Sequence, residues 1–243
     1  MKQATICFIT DNRYIVPTTV AITSLVANKN SDSFYTVYVL AKDLTAENKA
    51  VLQTFNRPDV QLQVVEARPE QQYEGVVSGN AHVSAAALYK FSLADIFPDC
   101  DKLLYMDGDV LVRQDLSDFY AMDLTGVYAA VVKDYRAIVS KPNPMEFLPV
   151  KHQAYFNSGV MLLNLKRMRQ CDMKRRLIDY RLHGINHFMD QDTLNVVFDE
   201  QVAYLPIYYN GMYSTLTHFS AGDICTYYAM EPRNSIDEIC GDC

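Results

Sequence analysis

The residues best suited to chemistry lie in Lys102–Val112, K-L-L-Y-M-D-G-D-V-L-V, where two carboxylates one residue apart separate two apolar runs. Leu103, Leu104 and Tyr105 have the apolar continuity of a buried strand. In an extended chain residues i and i+2 point to one side, so Asp107 and Asp109 can turn toward one point, with no side chain on Gly108 between them. Carboxylates that close repel unless a cation joins them. An all-oxygen pair suits a hard divalent ion, Mg²⁺ or Mn²⁺. Asp-Gly is also a common turn dipeptide, and D-G-D taken alone reads as a polar hairpin tip. The apolar runs on both sides shift the balance toward ion binding, because a solvated tip is seldom flanked by segments without polar alternation.

Such a pair needs a strand that delivers it to the edge of a sheet. The pattern predicts strands over Ala4–Thr10, Phe34–Leu40, Val60–Val65 and Leu103–Met106, with helices over Val16–Ala27, Thr45–Phe55 and Ser84–Phe97 between them. The first helix carries Val16, Val20, Ile22, Leu25 and Val26 at helical spacing, and Asp43 or Thr45 caps the second. Strands alternating with helices imply a mostly parallel sheet with helices on both faces, a Rossmann-like α/β architecture. In such sheets ligands lie beyond the carboxyl ends of the strands, which puts Asp11 and Asn12 on the same edge as Asp107 and Asp109. Further on, strands are expected over Val127–Val132 and Gly159–Leu165, and helices over Met173–Leu182 and Asp190–Phe198. Glu70–Val83 and Ser140–Gln153 are long for loops and suggest lids or binding loops.

The 243 residues are enough for one large domain, and 49% apolar with 21% charged residues is ordinary for a globular chain. A net charge of −7 without a basic stripe argues against nonspecific nucleic-acid binding. No apolar run reaches the roughly 18–20 residues of a membrane span, and the N-terminal run is too short for a signal peptide. The expectation is a cytoplasmic protein that touches the inner face of the membrane at most. The scattered cysteines read as reduced and structural, and the terminal Cys240-x-x-Cys243 is at best half a zinc site.

Four motifs together resemble the retaining glycosyltransferases of family 8, which include glycogenin and bacterial lipopolysaccharide galactosyl- and glucosyltransferases. They are I-T-D-N at Ile9–Asn12, L-L-Y-M-D-G-D-V-L-V at Leu103–Val112, Y-F-N-S-G-V-M-L-L-N-L at Tyr155–Leu165 and D-Q-D-T-L-N at Asp190–Asn195. The resemblance runs from Ile6 to about Tyr209 and implies a GT-A nucleotide-diphospho-sugar transferase fold with a UDP-hexose donor. By that resemblance Asp11 and Asn12 meet uracil and ribose, and Asp107 and Asp109, the DxD pair around Gly108, bind Mn²⁺ (or Mg²⁺) on the diphosphate. Lys90 lies near the diphosphate and the donor sugar. Asp134, Asn157, Asp190 and Gln191 line the sugar, and His82 belongs to a lid. Metal and Lys90 would stabilise the departing UDP anion, and amides and carboxylates suit sugar hydroxyls. Asp190 and Gln191 are the candidate catalytic groups, with covalent and front-face routes both open. Each residue also has a plain reading: Asp11 a turn former, Lys90 a solvated helix charge, Asp190 a helix cap.

The family's late H-x-x-G-x-x-K-P-W pattern, source of a third metal ligand, has no counterpart, and His218 in T-H-F-S-A-G does not match it. The expectation is a single catalytic domain over 1–243 lacking that motif and the family's membrane-docking tail. The leading function is hexose transfer to a lipopolysaccharide or other cell-surface glycan. A noncatalytic sugar-nucleotide-binding remnant, or a truncated enzyme, is the alternative. A sugar-1-phosphate nucleotidyltransferase ranks lower, because T-D-N-R-Y after the first strand has no glycine-rich basic loop.

Overall fold

β-Branched and aromatic runs in the first third of the chain form three parallel strands, β1 (Lys2–Thr10), β2 (Ser33–Ala41) and β3 (Val60–Glu66). Helices α1 (Ile15–Ala27) and α2 (Ala46–Gln53) join them, and the Thr45 hydroxyl caps α2 by accepting the Asn48 N–H at 3.2 Å. A 3₁₀ segment, Ala85–Ser92, runs into the single turn α3 (Leu93–Ile96) and on to β4 (Leu103–Met106), parallel to β1. The computed structural model describes residues 1–67, 85–135, 139, 141, 146–150, 155–199 and 201–241. Glu70–Val83, with His82, lies outside them, as does most of Ser140–Gln153.

The second half contributes α4 (Ser117–Ala121), β5 (Ala129–Lys133), β6 (Phe156–Leu163), α5 (Leu165–Gln170), α6 (Met173–His183), α7 (Met189–Phe198) and β7 (Val202–Leu205). After a 3₁₀ turn at Ile207–Tyr209 come α8 (Tyr213–His218), α9 (Ala221–Tyr227) and α10 (Ile236–Gly241). The sheet has seven strands in the order β3-β2-β1-β4-β6-β5-β7. Strand β6 runs against both β4 and β5, and the other pairings are parallel. Alternation along β1 divides the core: Ile6 and Phe8 pack on the α1 side, Cys7 and Ile9 on the side of the 3₁₀ segment and α5–α7.

Several local expectations change. The buried face of α1 is Ile15, Thr18, Ala21, Ile22, Ser24 and Leu25, while Val16 and Val20 are 69% and 53% exposed. Polar groups win that face because they are satisfied there. Thr18 Oγ1 lies 2.8 Å from Thr10 Oγ1, and Ser24 Oγ accepts the Val112 N–H at 2.9 Å. The expected helix over Ser84–Phe97 is mostly 3₁₀. Leu88, Tyr89, Lys90, Phe91 and Ser92 are all buried, so these five residues have no solvent face to impose a 3.6-residue period. Strand β6 begins and ends earlier than its apolar run suggests. Asn195 binds both the N–H and the C=O of Phe156 (2.8 and 2.9 Å), and Asn164 leaves the strand to cap α5 through the Arg167 N–H at 3.0 Å.

The stretch after Asp109 is pinned by Asp115. Its carboxylate accepts the Asn30 N–H (2.8 Å), the Tyr35 hydroxyl (2.7 Å), the Ser117 N–H (2.9 Å) and the Ser117 hydroxyl. Burial alone would raise the Asp115 pKa, but these hydrogen bonds hold it well below the usual carboxylate range. A carboxyl depressed in the folded state stabilises the fold above the ordinary carboxylate range, and that contribution is lost as pH falls through the depressed value. Asp115→Asn is therefore expected to be less stable than wild type at neutral pH, with the gap narrowing in acid. Denaturant midpoints across a pH series check this; a gap constant with pH contradicts it.

Candidate active site at the carboxyl edge of the sheet

Strands β1 and β4 are parallel neighbours, Phe8 standing opposite Met106, so Asp11 and Asp107 leave the sheet at the same edge. Asp11 does form a turn: its Oδ1 accepts the N–H groups of Arg13 (2.8 Å) and Tyr14 (2.9 Å) at the entry to α1. Asn12 ties in the β2–α2 loop, accepting from the Thr45 N–H (3.1 Å) and Asn48 Nδ2 (2.9 Å) and donating to the Asp43 carbonyl at 2.5 Å. From the same turn the Tyr14 hydroxyl donates to Asp109 at 2.9 Å, and this bond, with burial, pushes the phenol up to about 12. Gly108 is buried against α1, where a Cβ would lie 2.3 Å from Thr18 Oγ1. Only glycine lets D-G-D approach the helix this closely.

Lys90 is the hub. Its side chain is 5% exposed, and Nζ lies 2.8 Å from Asp190 Oδ2 and 3.2 Å from Asp107 Oδ1. It also donates to the Ser158 carbonyl at 3.3 Å and sits 4.7 Å from the centre of the Tyr105 ring. Burial alone would lower its pKa, but Asp190 and Asp107 outweigh that and hold it above the ordinary lysine value. Asp107, partly exposed, is pushed up by burial, against the opposing pull of Lys90 and the Tyr105 hydroxyl, which donates to Oδ1 at 2.5 Å. Asp190 lies in the first turn of α7 without capping it. Its Oδ2 accepts the Ser158 hydroxyl at 2.9 Å as well as Lys90. The cap-like role falls to Asp192, whose carboxylate takes the N–H groups of His187 (2.5 Å) and Phe188 (2.8 Å) and the Tyr155 hydroxyl (2.6 Å).

The remaining candidates join the same network. Asp134 Oδ2 accepts Asn157 Nδ2 at 3.3 Å and Gln191 Nε2 at 3.2 Å, and Gln191 Oε1 accepts the Ser158 N–H at 3.1 Å. Strand β6 makes this possible. Running opposite to β4, it begins at the edge where β4 ends, and the Asp107 N–H bonds the Gly159 carbonyl at 2.7 Å. Sequence reasoning did not single out Tyr14, Tyr105, Ser158, Asn195 or Asn210. Tyr105 and Ser158 sit inside the motifs and could have been found there, whereas nothing local marks Asn210. Beside Asp107 and Asp109 opens a cleft of about 900 Å³, bounded by Leu111, Phe119, Tyr208 and Tyr209. Tyr209 packs on Phe119, ring centres 4.8 Å apart. His218 is exposed on α8, its Nδ1 2.9 Å from the Ser214 carbonyl.

The donor set fits a hard divalent ion. Asp107 and Asp109 bring oxygen ligands only, and among the described residues no third His, Cys, Asp or Glu joins them. Such a pair leaves positions for phosphate and water, the usual surroundings of Mg²⁺ on a nucleotide.

This edge and sheet are those of a GT-A glycosyltransferase. The galactosyltransferase LgtC, solved with donor and acceptor sugar analogues, matches with a TM-score of 0.75 at 26% identity, over 84% of this chain and 74% of its own. The chain belongs to glycosyl transferase family 8, whose model matches residues 5–235. The lipopolysaccharide 1,2-glucosyltransferase of Escherichia coli K12 is 33% identical over 129 residues, 52% of this chain and 38% of that protein. A second E. coli lipopolysaccharide 1,2-glucosyltransferase is 27% identical over 217 residues, 86% of this chain and 62% of its own length. The chain thus spans less than two thirds of either of these curated relatives. Among the described residues no helix is long and apolar enough to cross a membrane.

Removing Lys90 leaves two carboxylates facing a buried gap. Lys90→Met is expected to cost about 3–5 kcal/mol, the usual penalty for deleting one partner of a buried ion pair. Denaturant unfolding checks this; a loss within the scatter of surface substitutions would mean the pairing does not hold the edge together.

Proposed function

We propose that the chain is a single catalytic domain of a retaining hexosyltransferase. It takes galactose or glucose from a UDP-sugar and passes it to a glycan, a lipopolysaccharide or other cell-surface saccharide. One observation carries the reading: Asp107 and Asp109 stand at the same edge as the linked set Lys90, Asp190, Asn157, Gln191 and Asp134. The donor and acceptor classes draw support from the lipopolysaccharide glucosyltransferases and the galactosyltransferase to which the chain is similar.

In this reading Asp107 and Asp109 hold Mn²⁺ or Mg²⁺, which when bound neutralises the pyrophosphate and acts as a Lewis acid on the departing UDP. Lys90 adds a fixed positive charge in a buried setting, where it needs no reorganisation as the leaving group gains charge. Asp190 keeps that ammonium aimed. With its Oδ2 engaged by Lys90 and Ser158, it is better arranged as a positioning group than as a nucleophile, which favours approach of the acceptor on the leaving-group face. Gln191, Asn157 and Asp134 present both donors and acceptors for sugar hydroxyls. Asp11 and Asn12 meet the nucleoside end, at the far side of the D-G-D turn.

Release of UDP from UDP-glucose or UDP-galactose should depend on Mn²⁺. Asp109 is exposed, so Asp109→Asn should fold normally yet lose activity by on the order of 10²–10³-fold, the scale of a lost electrostatic stabiliser. Failure of every UDP-hexose to bind in calorimetry with Mn²⁺ overturns the reading. The alternative reading is binding without transfer. UDP retained with Mn²⁺ but no turnover would select it.

A further inference from the structure

Asn157 is held in a way that decides what it can offer a ligand. Asp134 accepts only, so the side of the Asn157 amide facing it, at 3.3 Å, must be the NH₂. The backbone N–H of Gly159 donates only, so the oxygen must face that group, at 2.9 Å. A carbonyl oxygen has a second lone pair, and here it is taken as well. Asn210 Nδ2 donates to Asn157 Oδ1 at 2.9 Å. Asn210 comes from a distant part of the chain, just past the 3₁₀ turn at Ile207–Tyr209. Its backbone is fixed there at both ends, the N–H bonding the Ile207 carbonyl and the C=O accepting the Met212 N–H, each at 2.9 Å. It lines the cleft beside Asp107 and Asp109.

We propose that Asn210 is a positioning residue for the donor sugar. By closing the second acceptor site on Asn157 Oδ1 it makes Asn157 a donor-only group, so the sugar must present an accepting oxygen there. One Asn157 N–H is spent on Asp134, which leaves the other to meet a ligand in the cleft. The proposal rests on the UDP-hexose reading above for the identity of the ligand, but the lock itself exists without any ligand. It also gives the 207–212 segment a part in donor selection, through contact with Asn157 and not with the sugar.

The test is a double-mutant cycle on the full chain: wild type, Asn210→Ala, Asn157→Ala and the double variant, each measured two ways. In ligand-free denaturant unfolding the two positions should be coupled, Asn210→Ala lowering the folding constant about ten-fold in wild type and little when Asn157 is already gone. In calorimetry with Mn²⁺, Asn210→Ala should weaken UDP-glucose or UDP-galactose roughly ten-fold and leave UDP unchanged, again with no added loss in the double variant. A donor series separates this from simple loosening. At one sugar position the deoxy donor should bind worse than the deoxyfluoro donor, because fluorine still accepts. That difference should vanish in Asn210→Ala. Additive losses in either measurement, or equal weakening of UDP and UDP-hexose, overturn the proposal. If wild type binds UDP but no UDP-hexose, the donor reading falls and takes the sugar role with it, while the unfolding cycle still decides whether the lock exists.

Discussion

A single buried ammonium governs the architecture of this edge. Taking Lys90 out of water is tolerable only because Asp190 and Asp107 surround it at 2.8 and 3.2 Å and the Tyr105 ring covers its side. That requirement reaches far along the chain. Residues 88–92 around Lys90 are all buried, β4 must end in a carboxylate at this point, and the first turn of α7 must approach from the other half of the sheet. Four carboxylates gather at this edge: Asp107, Asp109, Asp134 and Asp190. In the proposed reading a divalent ion held by Asp107 and Asp109 would add the positive charge that a pyrophosphate needs there.

The reversed strand explains how so many groups gather in one place. In an all-parallel sheet only strand ends reach the binding edge. Here β6 starts at that edge, so Asn157, Ser158 and Gly159 stand next to Asp107, where β4 finishes. Asn195, deep in α7, clamps the first residue of β6 by both its backbone groups and so fixes the helix carrying Asp190 and Gln191 against the strand carrying Asn157. Ser158 completes the joint, giving its hydroxyl to Asp190 and its N–H to Gln191. The hydrogen-bonded groups are therefore placed by regular elements as well as by loops, and their geometry inherits the stiffness of the sheet.

Much of this is legible from residue order, and the limits have physical causes. Strands β1 to β4 are visible because each is a short apolar run between turn formers, and the same-edge placement of Asp11 and Asp107 follows from parallel topology. The family resemblance also marked six of the residues that meet in one network: Lys90, Asp107, Asp134, Asn157, Asp190 and Gln191. What a linear reading cannot weigh is burial won by polar groups. Thr18 and Ser24 occupy the inner face of α1 in place of Val16 and Val20, because hydroxyl partners await them across the fold. Lys90 looks like a solvated helix charge until its two counter-ions are seen. Asn210 carries no local signal, since its importance lies wholly in the orientation of a residue 53 positions earlier.

The Lys90–Asp190 contact spans 100 positions of chain, and its geometry has a bearing on how the molecule comes into being. A ribosome delivers β1 to β4 first, and their parallel pairings can close among themselves. Throughout that interval the ammonium lacks one of its two counter-ions, because α7 has yet to emerge. Burying Lys90 before α7 arrives would leave it with Asp107 alone, so its desolvation is best met once β6 and α7 are in place. The ion pair at the binding edge can thus close only after both halves of the sheet have been made.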